Sequence, residues 1–381
     1  MAMDRLFHLM QEKEASDMFL APGSPIHLKI KGQMIPVNQQ NMDAHSIQLL
    51  LKEVVSAERI QELDRTNELN IGLPVPGVGS FRLSAFRQRG SISAVIRYIP
   101  INIPAFEELR LPPALLELIG RKRGLLLVVG ATGSGKSTTI ASMLDYRNKT
   151  QSGHILTLED PIEFLFHNHR SIVNQREIGS DTDNLNGALK NALRQAPDCI
   201  LIGEIRDKAT MSAALAYAQS GHLVVSTLHA NNTYRALNRI ISFYPQENRP
   251  ALLEDLASTL AAIVSQRLLT AVDGERVPAV EIMLNTRYIA ELIEEDNISQ
   301  IKEAMEKTLA PGSQTFEQAL MQLIEEGVIT QDEALAHADS PSNLYWLINN
   351  HTPHSNRNGA PVAPQPEQVE GATFTKFTLD L

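Results

Sequence analysis

Leu125-Leu126-Leu127-Val128-Val129-Gly130-Ala131-Thr132-Gly133-Ser134-Gly135-Lys136-Ser137 runs from an apolar strand into a glycine-rich loop, and the residues after it carry a helical pattern. Residues 130–137 fit G-x-x-x-x-G-K-[ST]. Glycines in such a loop let the main chain wrap an anion with its N–H groups. Lys136 then reaches the terminal phosphates, and the Ser137 hydroxyl suits Mg²⁺. The following helix aims its amino end at the same point. Gly130, Ala131, Thr132, Gly133, Ser134, Gly135, Lys136, Ser137 and Thr138 are therefore the candidates for holding the phosphates of ATP.

Hydrolysis of a bound triphosphate also needs acids near the metal and the attacking water. Cys199-Ile200-Leu201-Ile202-Gly203 is an apolar run that ends in Glu204. Ile155-Leu156-Thr157-Leu158 ends in Glu159 and Asp160, with Glu163 just beyond. Ligands of open parallel sheets bind at the carboxyl ends of strands. Glu159, Asp160, Glu163 and Glu204 are thus expected to converge on the loop that carries Lys136. Carboxylates there orient water or hold Mg²⁺ through its retained waters, the role considered for Glu159, Asp160 and Glu204. His222 and His229 bracket the run 223–228. His229 is the candidate sensor of the terminal phosphate, ahead of His222.

Around these motifs, apolar runs at 125–129, 155–158, 199–203 and 223–227 alternate with helical patterns at 137–147, 185–195 and 209–219. That alternation predicts a mainly parallel sheet covered by helices. Residues 250–268 and 287–349 read as helical. Residues 1–99 read as a smaller α+β unit: Ile26, Leu28 and Ile30 alternate with polar residues, Gly32 marks a turn, and 46–63 has apolar positions at helical spacing. Residues 81–99 read as a hairpin turning at Arg89-Gly90, in which opposed residue numbers sum to 179. Phe81, Leu83 and Ala85 then share a face with Tyr98, Ile96 and Ala94. Arg82 falls opposite Arg97. Like charges facing each other are unfavourable without an anion between them, although two long side chains splayed into water answer the pairing taken alone. Pro100, Pro104, Pro112 and Pro113 mark 100–113 as an extended linker between 1–99 and 114–350. Residues 351–381, rich in proline, read as a disordered tail whose end regains apolar character from Phe374.

Composition narrows the classes. A chain of 381 residues exceeds what one core usually holds, so two domains are expected. A net charge of −10 speaks against a broad nucleic-acid surface, and no nucleic-acid partner is expected. One cysteine, Cys199, excludes an internal disulfide and any multi-cysteine metal centre. No apolar run approaches the length of a membrane span. A cytoplasmic location is the expectation.

Four motifs in order resemble the secretion-superfamily hexameric ATPases, and within them the type IV pilus retraction ATPases of the PilT/PilU group. They are the phosphate loop, an acidic segment at 156–163, Gly203-Glu204-Ile205-Arg206-Asp207, and the histidine segment 221–231. The resemblance covers residues 1 to about 345. It implies a PAS-like N-terminal domain, a linker and a RecA-like P-loop ATPase domain with a mainly parallel sheet. It also implies a hexameric ring in which arginines of the N-terminal domain meet the nucleotide, which gives Arg82 and Arg97 a catalytic role. Whether each serves its own subunit's nucleotide or a neighbour's stays open. By the same resemblance Glu163 polarises the attacking water and Glu204 is the companion acid near Mg²⁺, although the two residues are interchangeable at this level. The implied partners are further copies of the chain, an inner-membrane platform protein at the pilus base and a PilT-type ATPase. Two departures matter. Tyr288-Ile289-Ala290-Glu291-Leu292-Ile293-Glu294-Glu295 lacks both arginines of the PilT-type C-terminal motif, which, with the long tail, places the chain nearer the PilU type. An accessory subunit docked on a primary motor is therefore the alternative to an independent motor. The second departure is Ala196, where the family usually carries an acid.

Overall fold

The structure is a computed structural model and describes residues 2–30, 32–99, 102–307 and 310–350. The tail at 351–381 lies outside them. Two sheets organise the chain. The first contains β1 (Asp17–Leu20), β2 (His27–Ile30), β3 (Gln33–Pro36), β4 (Glu68–Val75), β5 (Gly79–Gln88) and β6 (Ser91–Ile99). They run antiparallel in the order β3-β2-β1-β6-β5-β4. Helices Ala2–Glu12, Ala44–Val54 and Ala57–Thr66 pack residues such as Phe7, Leu51 and Leu63 into one core with Phe81, Leu83 and Ile96. The helical pattern at 46–63 is two helices because Ser56 caps a new start, its hydroxyl accepting from the Arg59 amide.

The hairpin has the expected register: Phe81 opposes Tyr98 and Arg82 opposes Arg97. Arg89 and Gly90 take φ values of 48° and 77°. Two successive positive φ values match the right-handed twist of the flanking strands. The Arg82–Arg97 pairing is answered from inside the molecule. β1 lies beside β6 with Asp17 opposite Arg97, and Arg97 Nε donates to Asp17 Oδ1 at 2.8 Å. The Arg82 side chain has no hydrogen-bonded or ionic partner among the described residues.

The second sheet contains β7 (Gly124–Val129), β8 (Gly153–Glu159), β9 (Ser171–Glu177), β10 (Cys199–Ile202), β11 (Leu223–Leu228), β12 (Leu260–Thr270) and β13 (Arg276–Leu284). The order is β13-β12-β7-β11-β10-β8-β9, parallel except for β13. This is the RecA-like arrangement expected for the larger part of the chain. The four expected strands are β7, β8, β10 and β11. Residues 250–268 are not one helix: Arg249–Thr259 is helical, and the chain then enters β12. Residues 260–266 are buried on both faces of the sheet, so they show no alternation that would mark a strand. Within the Pro-rich segment, Phe106–Leu109 forms a 3₁₀ turn. Phe106 and Leu111 are buried in the core under β7 and the helix Lys136–Thr150. Prolines stop helices and ladders there without preventing packing.

Ala196 closes the 3₁₀ turn Leu193–Gln195 with φ 50° and ψ 51°. An L-residue with a Cβ is strained there, whereas Asn and Asp tolerate the left-handed region. Ala196 is also exposed, so a larger side chain fits. Ala196→Asn is expected to stabilise the chain by about 0.5–1 kcal/mol, read as a higher urea midpoint at unchanged slope.

Candidate functional site

The carboxyl ends of β7, β8, β10 and β11 open onto one cleft of ≈ 700 Å³. The phosphate loop forms one wall. Gly130, Gly133 and Gly135 all have positive φ. A Cβ on Gly130 would stand 2.4 Å from Ser134 Oγ and 2.5 Å from the Gln266 carbonyl. Glycine is therefore demanded by space as well as by conformation. Lys136 folds back so that Nζ donates to Gly130 O at 2.9 Å and Ala131 O at 2.8 Å. Burial holds its pKa below the usual lysine value, opposed by the negative charges of Glu204 and Glu163. Thr132, Gly133, Gly135, Ser137 and Thr138 line the cleft. Gly130, Ala131 and Ser134 frame the loop without lining it. The Ser137 and Thr138 hydroxyls make no hydrogen bond among the described residues.

The opposite wall is acidic. Glu159, Asp160, Glu163 and Glu204 all face this cleft. Gly203 N donates to Leu158 O at 2.9 Å, tying the end of β10 to that of β8 and setting these acids side by side. Glu204 is clamped: Arg206 Nε lies 2.7 Å from one carboxylate oxygen and His229 Nε2 3.1 Å from the other. Thr227 Oγ1 donates to Gly203 O at 2.7 Å and fixes the turn that presents Glu204. Glu163 is exposed, and its carboxylate has no partner among the described residues. His229 lies at the carboxyl end of β11. His222 lies at the other end, beside Ser220 and Tyr217, away from the cleft. Among the described residues, Arg82 and Arg97 do not line the cleft, whose walls come from the second sheet and its loops. Arg206, Thr227 and the β12 residues Gln266 and Leu268 are not among the residues that the sequence singles out. Arg206 and Thr227 lie inside recognised motifs, whereas Gln266 and Leu268 carry no signal there.

Glu159 is 8% exposed and accepts from Thr157 Oγ1 at 2.6 Å and Gln175 Nε2 at 3.2 Å, both on one carboxylate oxygen. Burial pushes its pKa to about 7, against those two hydrogen bonds. The folded chain thus binds this proton more tightly than the unfolded chain. Stability contributed by the protonated form is full below the ordinary carboxyl range and is lost as pH rises through about 7, by roughly 3 kcal/mol at most. Glu159→Gln keeps both accepted bonds. It is expected to raise the unfolding midpoint relative to wild type at pH 8.5 and to leave it unchanged near pH 4.5. Glu281, also raised to about 7 by burial, titrates in both proteins and cancels in the difference.

Residues 2–336 match the type II/IV secretion system protein family. The chain belongs to that family. Among relatives of this secretion family, the type IV pilus ATPase PilU of Pseudomonas aeruginosa is 44% identical over 349 residues, covering 91% of each chain. The type IV pilus retraction ATPase PilT of the same organism is 36% identical over 344 residues, covering 90% of this chain and all of the relative. The crystal structure of the pilus retraction motor PilT with bound ADP superposes with a TM-score of 0.84 at 40% identity, covering 90% of this chain and 98% of that one. The group read from the motifs is thus the group that the whole chain matches. Among the described residues no helix is long and apolar enough to cross a membrane.

Proposed function

We propose that this secretion-family chain is an ATPase motor that drives or assists type IV pilus retraction, the process behind twitching motility. The observation that carries the reading is the single cleft into which Lys136, Ser137, Glu163, Glu204 and His229 all project. Backbone N–H groups of residues 130–138 and the Lys136 ammonium grip the triphosphate. Mg²⁺ arrives with ATP and neutralises its developing charge; the free Ser137 hydroxyl suits it directly, and Asp160 and Glu204 suit it through water. Glu159 stands behind them as a wall. Glu163 polarises the attacking water, and His229 reports the terminal phosphate to Glu204. A second cavity of ≈ 430 Å³ adjoins the loop at Gly135 and Thr138, and Arg110, Leu268, Arg276 and Pro278 line it. It takes the nucleoside end.

The first sheet closes over the phosphates in this reading. Arg82, whose side chain has no partner among the described residues, is the guanidinium that reaches them, while Arg97, held by Asp17, braces the same face. The chain assembles as a hexameric ring, sits at the cytoplasmic face of the pilus base, and turns an inner-membrane platform protein as closure passes around the ring. The test is steady-state ATP hydrolysis by wild type and Lys136→Ala, together with particle imaging in the presence of nucleotide. Magnesium-dependent hydrolysis and six-membered rings support the reading. A monomer with no turnover overturns it.

A further inference from the structure

Gln266 lines the second cavity together with Gly135 and Thr139. It lies on β12, next to Ser265, which pairs with Val129 at the end of β7. It is 2% exposed. A buried amide is costly unless its groups are used, and a leucine would fill the same space without that penalty. The residue touches both ends of the phosphate loop. Its backbone carbonyl lies 2.5 Å from where a Cβ on Gly130 would sit, and its Nε2 lies 2.7 Å from the corresponding point on Gly135. Thr139, one turn into the helix that follows the loop, donates its hydroxyl proton to Gln266 Oε1 at 2.7 Å. Thr139 is itself buried. An amide is planar, so fixing Oε1 fixes Nε2 against Gly135. Nε2 makes no hydrogen bond among the described residues.

We propose that Gln266 is a positioning residue for the phosphate loop: locked by Thr139, its amide holds Gly135 and the start of the following helix in the conformation that receives the triphosphate. The residue acts through the loop and not on the reacting atoms. A glycine loop without such a strut samples many conformations, and binding selects only the fraction that is competent. Gln266 raises that fraction before ATP arrives.

The inference rests on the nucleotide-binding reading above. ATP affinity is measured by calorimetry, with magnesium, for wild type, Gln266→Leu, Thr139→Val, the double variant and Thr139→Ser. Gln266→Leu and Thr139→Val are each expected to weaken binding about tenfold. The double variant is expected to bind no more weakly than the worse single, because one device is lost once. Thr139→Ser keeps the donor and is expected within about twofold of wild type. Gln266→Leu leaves the buried Thr139 hydroxyl without its acceptor and is expected to lower the apo thermal midpoint. The double variant, which removes both partners, is expected to recover that midpoint while binding ATP no better, a split that a purely structural role would not give. Single variants that bind as wild type does, or losses that multiply in the double variant, overturn the inference while leaving the nucleotide reading intact. Absence of ATP binding by wild type overturns both. Should Gln266→Leu fail to fold, the comparison of Thr139→Val with Thr139→Ser decides the question in the same way.

Discussion

Lys136→Ala is expected to reduce ATP turnover about 10²–10³-fold, the loss seen when one preorganised donor to a developing anion is removed. The fold is expected to survive. Among the described residues, Lys136 Nζ bonds to the carbonyls of Gly130 and Ala131. Ala131 is exposed, so water replaces the lost donor there, while the Gly130 carbonyl is buried and loses its partner at a cost of about 1–3 kcal/mol. The ammonium is already partly desolvated, and burial pulls its pKa down while Glu204 and Glu163 push it up. A triphosphate entering the loop supplies stronger negative charge than two carbonyls, so Nζ leaves them for it. Phosphate release measures the turnover. A second readout separates binding from chemistry: ligand at a hundredfold excess over its dissociation constant stabilises a folded protein by about 2.7 kcal/mol. Wild type is expected to show such a shift with ATP and magnesium, and Lys136→Ala little or none. Turnover within a factor of two of wild type would remove the phosphate loop from the mechanism.

The sequence makes some of this site readable and hides the rest for physical reasons. The hairpin of β5 and β6 is legible because one face is apolar, the other is not, and Arg89-Gly90 accommodates a tight turn. Glu159 and Glu204 are legible because each ends a fully buried strand, where polarity must begin. β12 reads as helix because residues buried on both faces lose the period of two. Gln266 and Leu268 are hidden with it, since their nearness to Gly135 depends on a parallel pairing between strands more than a hundred residues apart in the chain. The partner of Arg97 is hidden in the same way. Asp17 reaches it only through the pairing of β1 with β6, which no local pattern encodes. Ala196 stands out as unusual in the sequence, but only its left-handed backbone says what an acid at that position would relieve.

Glu163→Gln is expected to lower kcat by about 10²–10⁴-fold while ATP affinity is kept or improved. Glu163 and Glu204 both face the cleft, but their circumstances differ. Glu204 has each carboxylate oxygen engaged, one by Arg206 and one by His229. A carboxylate so held suits the fixed task of orienting metal-bound water and reading the phosphate through His229. Glu163 is exposed and its carboxylate makes no hydrogen bond or ion pair among the described residues, the state a base needs before it takes up water. Neutralising Glu163 removes negative charge from the path of a polyanionic ligand, so binding does not suffer. The variant is therefore expected to accumulate as an ATP-bound species in single-turnover chase experiments. Glu204→Gln is expected to behave differently, because losing the clamp with Arg206 and His229 disturbs the metal side of the site, and magnesium-dependent binding weakens along with turnover. The pair of variants decides the assignment. If Glu204→Gln traps ATP without hydrolysis and Glu163→Gln turns over near the wild-type rate, the base is Glu204, and Arg206 must release it when the cleft closes.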